Sequence, residues 1–483
     1  MIFNSIDFAI FLPCIFILYW FVAKRNLSLQ NLLIVVASYI FYGWWDWRFL
    51  SLIIFSTVVD YIIGRKLTTE QNKTKRKFLL WTSIIINLGF LGFFKYYNFF
   101  LQNFTMAFSF FGQEIKGNSL NIILPVGISF YTFQTLSYTI DVYRKKLIPT
   151  KNFIAFSAFV SFFPQLVAGP IERATNLLPQ FYKKRTFDYT KAVDGLRQIL
   201  WGLFKKIVIA DNCAELANQI FNNSGEMNGS TLVLGAIFFS FQIYGDFSGY
   251  SDIAIGTSRL FGFNLMQNFA FPYFSRDIAE FWRRWHISLS TWFRDYLYIP
   301  LGGSRGRTWL KIRNIFIIFL VSGFWHGANW TFIVWGLLNA FYFLPLLLTK
   351  NNRNNIDIVA KGKKLPTLKE MSLMLLTFIL ILLSWIFFRA ESIEHALNYI
   401  NGILSISIFE TPSFFGMYSK GKSTVIFIII LLLIEWKGRE EQHAISRLGL
   451  KWIRPLRYLM YSAIIYAIFN FSGSNQEFIY FQF

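Results

Sequence analysis

The sequence predicts an all-α polytopic membrane protein, and three observations carry that expectation. Of 483 residues, 54% are apolar, 20% are aromatic and only 15% are charged, so an ordinary ionic surface cannot cover the chain. Charge-free runs long enough to enter a bilayer recur from one end to the other. Basic residues gather between those runs, as cytoplasmic loops of a membrane protein require. At roughly 20 residues per span, about 11–12 transmembrane helices are expected, with re-entrant and interfacial helices among them.

The charge-free runs cover 8–23, 26–45, 49–64 with Asp60 inside, 78–94, 117–140, 152–171, 227–245, 314–349, 371–388, 423–434 and 458–476. A more polar candidate lies around 198–222. The first run is followed by Lys24, Arg25 and another span, not by a small-residue cleavage site, so it reads as a retained helix. Basic clusters at 24–25, 65–77, 144–151, 183–197, 305–313, 350–369 and 437–457 should face the cytoplasm. The N-terminus and the connections 46–48, 102–116, 211–226 and 389–422 should face out. This alternation works through the fifth run and then fails. Run 152–171 has a basic cluster on each side and carries Pro164, Gly169 and Pro170, so it is expected to enter and leave on one side. Irregular backbone at membrane depth survives only where protein or a water-filled cavity satisfies it, so this segment should line a cavity. The chain is read as one membrane domain, 1–483, with N-terminal helices in 1–150, a core in 151–349 and C-terminal helices in 350–483.

The 47 Lys and Arg against 26 Asp and Glu give +21, a balance that would suggest nucleic acid in a soluble protein. Membrane topology accounts for it here. Cys14 and Cys213 fit neither a disulfide framework nor a zinc site, and four histidines leave little scope for a metal centre, so no metal is expected.

The candidate chemistry lies between Asp246 and Asn329. Residues 244–252, 281–290 and 292–300 are dense in Trp, Tyr, Phe and Arg without forming a clean span, which suits helices lying at an interface. Asp252 and Arg259 are seven apart and share a face if a helix continues past residue 245. With Asp246, their expected role is a charge pair holding helices together. The turn Gly302-Gly-Ser-Arg-Gly306 offers backbone N–H groups to an anion but lacks the Gly-Lys-Ser/Thr ending of a P-loop.

Run 314–349 is broken by Ser322-Gly-Phe-Trp-His-Gly-Ala-Asn-Trp330. Residues 314–327 give about 21 Å of helix against a hydrocarbon core of about 30 Å, which places His326 within the membrane. An ionisable residue there is functional by default, and a neutral imidazole can act as a general base near neutral pH. The plainer reading, a core histidine satisfied by a carbonyl, is disfavoured by the glycine flanks. His286 follows Arg283 and Arg284 and reads equally well as a solvated interfacial residue. His395 and His443 read as exposed loop histidines.

Five motifs together resemble the membrane-bound O-acyltransferase family, in its bacterial polysaccharide O-acetyltransferase branch. They are Leu124-Pro-Val-Gly-Ile-Ser-Phe-Tyr-Thr-Phe-Gln134, Phe163-Pro-Gln-Leu-Val-Ala-Gly-Pro170, Arg284-Trp-His-Ile-Ser-Leu-Ser290, Tyr296-Leu-Tyr-Ile-Pro-Leu-Gly-Gly303 and Gly323-Phe-Trp-His-Gly327. The Pro-Leu-Gly-Gly form is closer to that branch than to the D-alanyl transfer branch. The resemblance implies a helical funnel through the membrane with His326 as the catalytic histidine and His286 as its second active-site position. It implies pocket or substrate-binding roles for Trp325, Asn329, Trp285, Ser288, Gln134 and Pro164. It also implies transfer of an acyl group, acetyl in this branch, from a cytoplasmic thioester to an extracytoplasmic hydroxyl of a polysaccharide or peptidoglycan. Acetyl-CoA is the implied donor, or an acyl carrier protein thioester, with no bound cofactor. An extracytoplasmic esterase-like partner and a place in the bacterial cytoplasmic membrane are implied as well. D-alanyl transfer and lipid acylation are the alternatives among enzymes. A transporter of an anionic solute is the alternative outside them, but inverted repeats and paired broken helices are not evident in the sequence.

Overall fold

The computed structural model describes residues 1–112, 117–167, 169–413, 417–474 and 476–479. Parts of the connections expected at 102–116 and 389–422, namely 113–116 and 414–416, and residues 480–483 lie outside the described residues. Every regular element among the described residues is helical. In chain order the α-helices are α1 (Ile6–Ile17), α2 (Leu27–Asp46), α3 (Leu50–Thr69), α4 (Lys73–Leu91), α5 (Tyr97–Phe110), α6 (Ile128–Tyr143), α7 (Phe153–Val160), α8 (Phe163–Leu166), α9 (Ala174–Leu177) and α10 (Tyr189–Leu203). They continue with α11 (Asp211–Asn222), α12 (Gly229–Leu260), α13 (Ile278–Arg284), α14 (Ile287–Phe293), α15 (Thr308–His326), α16 (Trp330–Leu348), α17 (Leu368–Arg389), α18 (Ile393–Ile403), α19 (Tyr418–Gly438) and α20 (Arg454–Asn470).

Polar residues start these apolar helices. The Asn26 and Asn72 side chains accept the first free N–H groups of α2 and α4, and Thr367 with Glu370 forms a capping box on α17. Six stretches are long and apolar enough to cross a membrane: Leu27–Thr69, Lys73–Phe110, Gly229–Leu260, Thr308–His326, Trp330–Leu348 and Leu368–Arg389. The first, 43 residues long, would be about 65 Å if straight, twice what a bilayer needs. It breaks at Trp47–Phe49, where Asp46 turns extended and its carboxylate accepts the Arg48 N–H, so it supplies two crossings.

The chain forms two compact units, 1–195 with 257–266, and 196–256 with 267–483. In the first, Asp60 is buried in α3 and accepts from Ser83 Oγ, Asn87 Nδ2 and Thr139 Oγ1, which is how an acid survives inside an apolar run. Run 152–171 becomes two short helices, α7 and α8, of 8 and 4 residues. Neither exceeds about 12 Å, too short to cross, and at the break between them the Phe163 N–H donates to Ser38 Oγ at 3.0 Å. Run 117–140 differs from a continuous span: its helix begins only at Ile128. Gly127 there takes a left-handed φ of 72°, and a Cβ on it would press on the Leu166 carbonyl oxygen. The turn fixes the start of α6 where Pro125 and Gly127 cannot continue a helix.

In the second unit, α12 runs on through Asp246 and Asp252 instead of ending at 245. It can do so because each acid meets a cation from the π-helical turn Phe204–Ala210. Lys206 Nζ lies 2.9 Å from Asp246 and 2.7 Å from Asp211, and Lys205 Nζ lies 2.6 Å from Asp252. Arg259, at the far end of α12, pairs with Asp194, and both belong to the first unit. The charges therefore do pair, but with partners from other segments and not Asp252 with Arg259. His443, expected in an exposed loop, is 2% exposed. His395 is half-buried in α18, 3.1 Å from Ser224 Oγ.

Candidate active site

The site is built on the α15–α16 hairpin of the second unit. The glycines around the Trp-His pair are there for contact, not only for flexibility. A Cβ on Gly323 would collide with the Phe332 carbonyl oxygen, one on Gly336 with the Phe319 carbonyl oxygen, and one on Gly327 with the Phe332 ring. The two helices therefore touch backbone to backbone, and His326 closes α15 where the chain reverses. Asn329 secures the reversal: its Oδ1 accepts the Thr331 N–H at 3.0 Å, and its Nδ2 donates to the Glu391 carbonyl at 2.9 Å. Helix α15 begins at Thr308, six residues before the charge-free run, and its 19 residues give about 28 Å, not about 21 Å. Arg313 is tolerated in it because its guanidinium reaches Asn314 Oδ1 and stacks over Trp309.

The buried His326 ring meets Trp335 edge to face at 5.2 Å and Phe388 at 5.4 Å. Trp335 also stacks on Trp385 at 5.9 Å. This aromatic wall excludes water from one side of the imidazole.

His286 is 3% exposed, not solvated. It precedes α14 in a left-handed conformation, φ +43°, which costs a non-glycine residue energy and needs support from its surroundings. That support is Asn268, whose carbonyl accepts the Ile287 N–H at 2.9 Å and whose Oδ1 lies 3.1 Å from His286 Nδ1. Phe247 packs edge-on to the ring at 4.5 Å. Burial, and secondarily the charge His326 can carry, hold His286 well below the usual histidine range, so it is neutral at physiological pH.

Both histidines face one cavity of about 150 Å³, whose walls include Trp282, Trp285, Ser290 and Ser322. Trp282 is held by Asn339, which accepts its indole N–H at 3.3 Å. A second cleft, about 540 Å³, shares Ser290, Ile318 and Phe319 with the first and is lined by Arg294, Lys311, Lys350 and Arg353. The small cavity suits a two-carbon acyl group and a reacting hydroxyl. The large one suits an anion.

Of the residues singled out in the sequence, His326, His286 and Trp285 meet at this cavity. Ser288 lies behind it, where its hydroxyl donates to Asn268 Oδ1 at 2.9 Å. Asn329 holds the turn, and Trp325 is half-buried and not among the residues lining the cavity. Gln134 and Pro164 belong to the first unit, where Gln134 donates to the Phe159 carbonyl and accepts from Gln165 Nε2 at 2.7 Å. Sequence reasoning missed Asn268, Trp335 and the basic cleft. Only the cleft left a signal, because its cations come partly from the clusters at 305–313 and 350–369.

Residues 143–388, which carry both histidines and the hairpin, match the model of the membrane-bound O-acyltransferase family. The chain belongs to that family. It is a multi-pass membrane O-acyltransferase. It is 41% identical to the probable alginate O-acetylase of Pseudomonas aeruginosa, over 91% of this chain and 81% of that one. It is 33% identical to the peptidoglycan O-acetyltransferase of Helicobacter pylori, over 98% and 95%. A teichoic acid D-alanyltransferase of Bacillus subtilis is 32% identical over 46% of this chain and 58% of that one.

Proposed function

We propose that this acyltransferase moves an acetyl group from a phosphopantetheine thioester, acetyl-CoA in the first place, to hydroxyls of a cell-surface polysaccharide or peptidoglycan. The observation that carries this reading is that the cavity shared by His286 and His326 adjoins a cleft lined by four cations. The donor's phosphates would rest among Arg294, Lys311, Lys350 and Arg353 while its thioester arm reaches past Ser290 and Phe319 to the histidines. His326 takes the proton from the acceptor hydroxyl as its oxygen attacks the thioester carbonyl; the C–S bond breaks, and the proton passes to the departing thiolate. The products are an ester and a free thiol, with no net proton gained or lost. His286 orients a bound substrate for that transfer. Basic clusters assigned to the cytoplasm put the donor on that side of a bacterial cytoplasmic membrane, and the acceptor reaches the site from the other. An extracytoplasmic esterase-like partner completes delivery to the polymer; the names of the alginate and peptidoglycan relatives support the acceptor class.

The test supplies labelled acetyl-CoA at one face of sealed vesicles holding the purified protein, with host cell-envelope polysaccharide and the host's extracytoplasmic protein fraction at the other. Labelled ester with wild type, lost by about 10²–10⁴ in His326→Ala, is expected. Full activity in a well-folded His326→Ala protein, or transfer from a D-alanyl carrier protein and none from acetyl-CoA, would overturn the reading.

A further inference from the structure

His286 is gripped by a residue that no sequence motif drew attention to. Asn268 is fully buried in the irregular stretch between α12 and α13. Its Oδ1 accepts the Ser288 backbone N–H at 3.2 Å and the Ser288 hydroxyl at 2.9 Å, and its Nδ2 donates to Ser251 Oγ at 3.0 Å. A backbone N–H can only donate, so the Asn268 atom facing Ser288 is the carbonyl oxygen, and the orientation of the amide follows. That same oxygen lies 3.1 Å from His286 Nδ1. Two acceptors cannot share a hydrogen bond, and the Ser288 hydroxyl, 3.4 Å from Nδ1, gives its one proton to Asn268 Oδ1 at the shorter 2.9 Å, so Nδ1 carries the proton. In a neutral imidazole the other nitrogen, Nε2, is then the acceptor.

We infer that Asn268 is the positioning residue that locks His286 in its Nδ1–H tautomer, so that His286 offers the cavity a hydrogen-bond acceptor and not a donor. The inference rests on the acyl-transfer reading of that cavity and sharpens it. A ring in this state cannot donate to a developing oxyanion; it receives an O–H or N–H of the bound substrates and so aligns them for His326. Asn268 holds the backbone as well as the ring, since its carbonyl also accepts the Ile287 N–H. The side chain fixes the proton, and the main chain fixes the turn.

The direct test is the ¹⁵N spectrum of the full-length, histidine-labelled protein in lipid nanodiscs at neutral pH, with the His286 signals identified by their loss in His286→Gln. A protonated Nδ1 and a bare Nε2 are expected. Asn268→Leu, similar in size but without an acceptor, should populate both tautomers and lower kcat by ~10–100-fold, with the KM for acetyl-CoA unchanged. Asn268→Asp, which restores an acceptor at the same point, should recover the Nδ1–H signal and much of the rate. A wild-type proton on Nε2, or a pure Nδ1–H signal in Asn268→Leu, would overturn the inference. If Asn268→Leu does not fold, the wild-type spectrum decides alone. A fully active His326→Ala protein would remove the acyl-transfer reading while leaving the tautomer to stand or fall on the spectrum.

Discussion

Gly323 sits against the carbonyl oxygen of Phe332 so closely that the backbones of α15 and α16 touch there, one turn before His326. The contact couples helix packing to the position of the imidazole. Gly323→Ala inserts a methyl where no flexible side chain can give way, and should cost about 1–3 kcal/mol while displacing His326. Thermal unfolding in detergent and acetyl transfer should both fall. Gly89→Ala, in α4 with nothing near its added Cβ, should be neutral or more stable by roughly 0.5–1 kcal/mol. Equal behaviour of the two variants would contradict the packing account.

The four cations of the larger cleft make a separate prediction. Neutralising Lys311 and Arg353 together with Gln should raise the KM for acetyl-CoA severalfold, at about 0.2–1 kcal/mol for each lost contact, and leave kcat unchanged. The wild-type KM should rise with salt, and the variant's should rise less. Steady-state kinetics at two ionic strengths checks both; a kcat effect without a KM effect would move the donor's phosphates elsewhere.

Lys206 lies between two buried carboxylates, Asp211 and Asp246, and Asp246 also accepts the Ile479 N–H at 2.7 Å. Lys206→Met leaves both acids without their shared cation, which should cost about 3–5 kcal/mol and lower expression in the membrane. Adding Asp246→Asn should recover part of that loss. A single variant as stable as wild type would show that the pair does not hold α12 in place.

The same residues show where sequence reasoning stops. Scanning for charge-free runs treats a charge as the end of a span, which placed the close of one helix at 245, yet α12 continues because Lys205 and Lys206 come to it from another segment. No local pattern announces a partner 40 residues away. The break at His326 was legible because two glycines, a histidine and a capping Asn occur together in an otherwise apolar run. The aromatic wall around it was not, since Trp335 and Phe388 look like any other ring in a chain with 58 Phe and 16 Trp. Asn268 was invisible for a different reason: its role depends on which of its amide atoms faces a backbone N–H.

Glu172 gives the protein a pH-dependent stability outside the catalytic cavity. It is fully buried at the end of the α7–α8 segment, where its oxygens accept the Met266 N–H at 2.5 Å and Asn176 Nδ2 at 2.6 Å. Burial outweighs those hydrogen bonds and the charge of the adjacent Arg173, and raises its pKa from 4.5 to about 7. Below 4.5 the carboxyl is protonated in both folded and unfolded chains, and its contribution is fully present. Between 4.5 and about 7 the unfolded chain releases a proton that the folded chain keeps, so stability falls as pH rises, by about 3 kcal/mol across the window. Above about 7 both states are ionised and the slope ends. Glu172→Gln removes the titrating group, so its unfolding temperature relative to wild type should climb from pH 4.5 to about 7 and then level off. Thermal unfolding of both proteins in one detergent across that range is the measurement. Parallel curves would mean that Glu172 stays ionised where it is buried, with the Arg173 charge and its hydrogen bonds outweighing the burial.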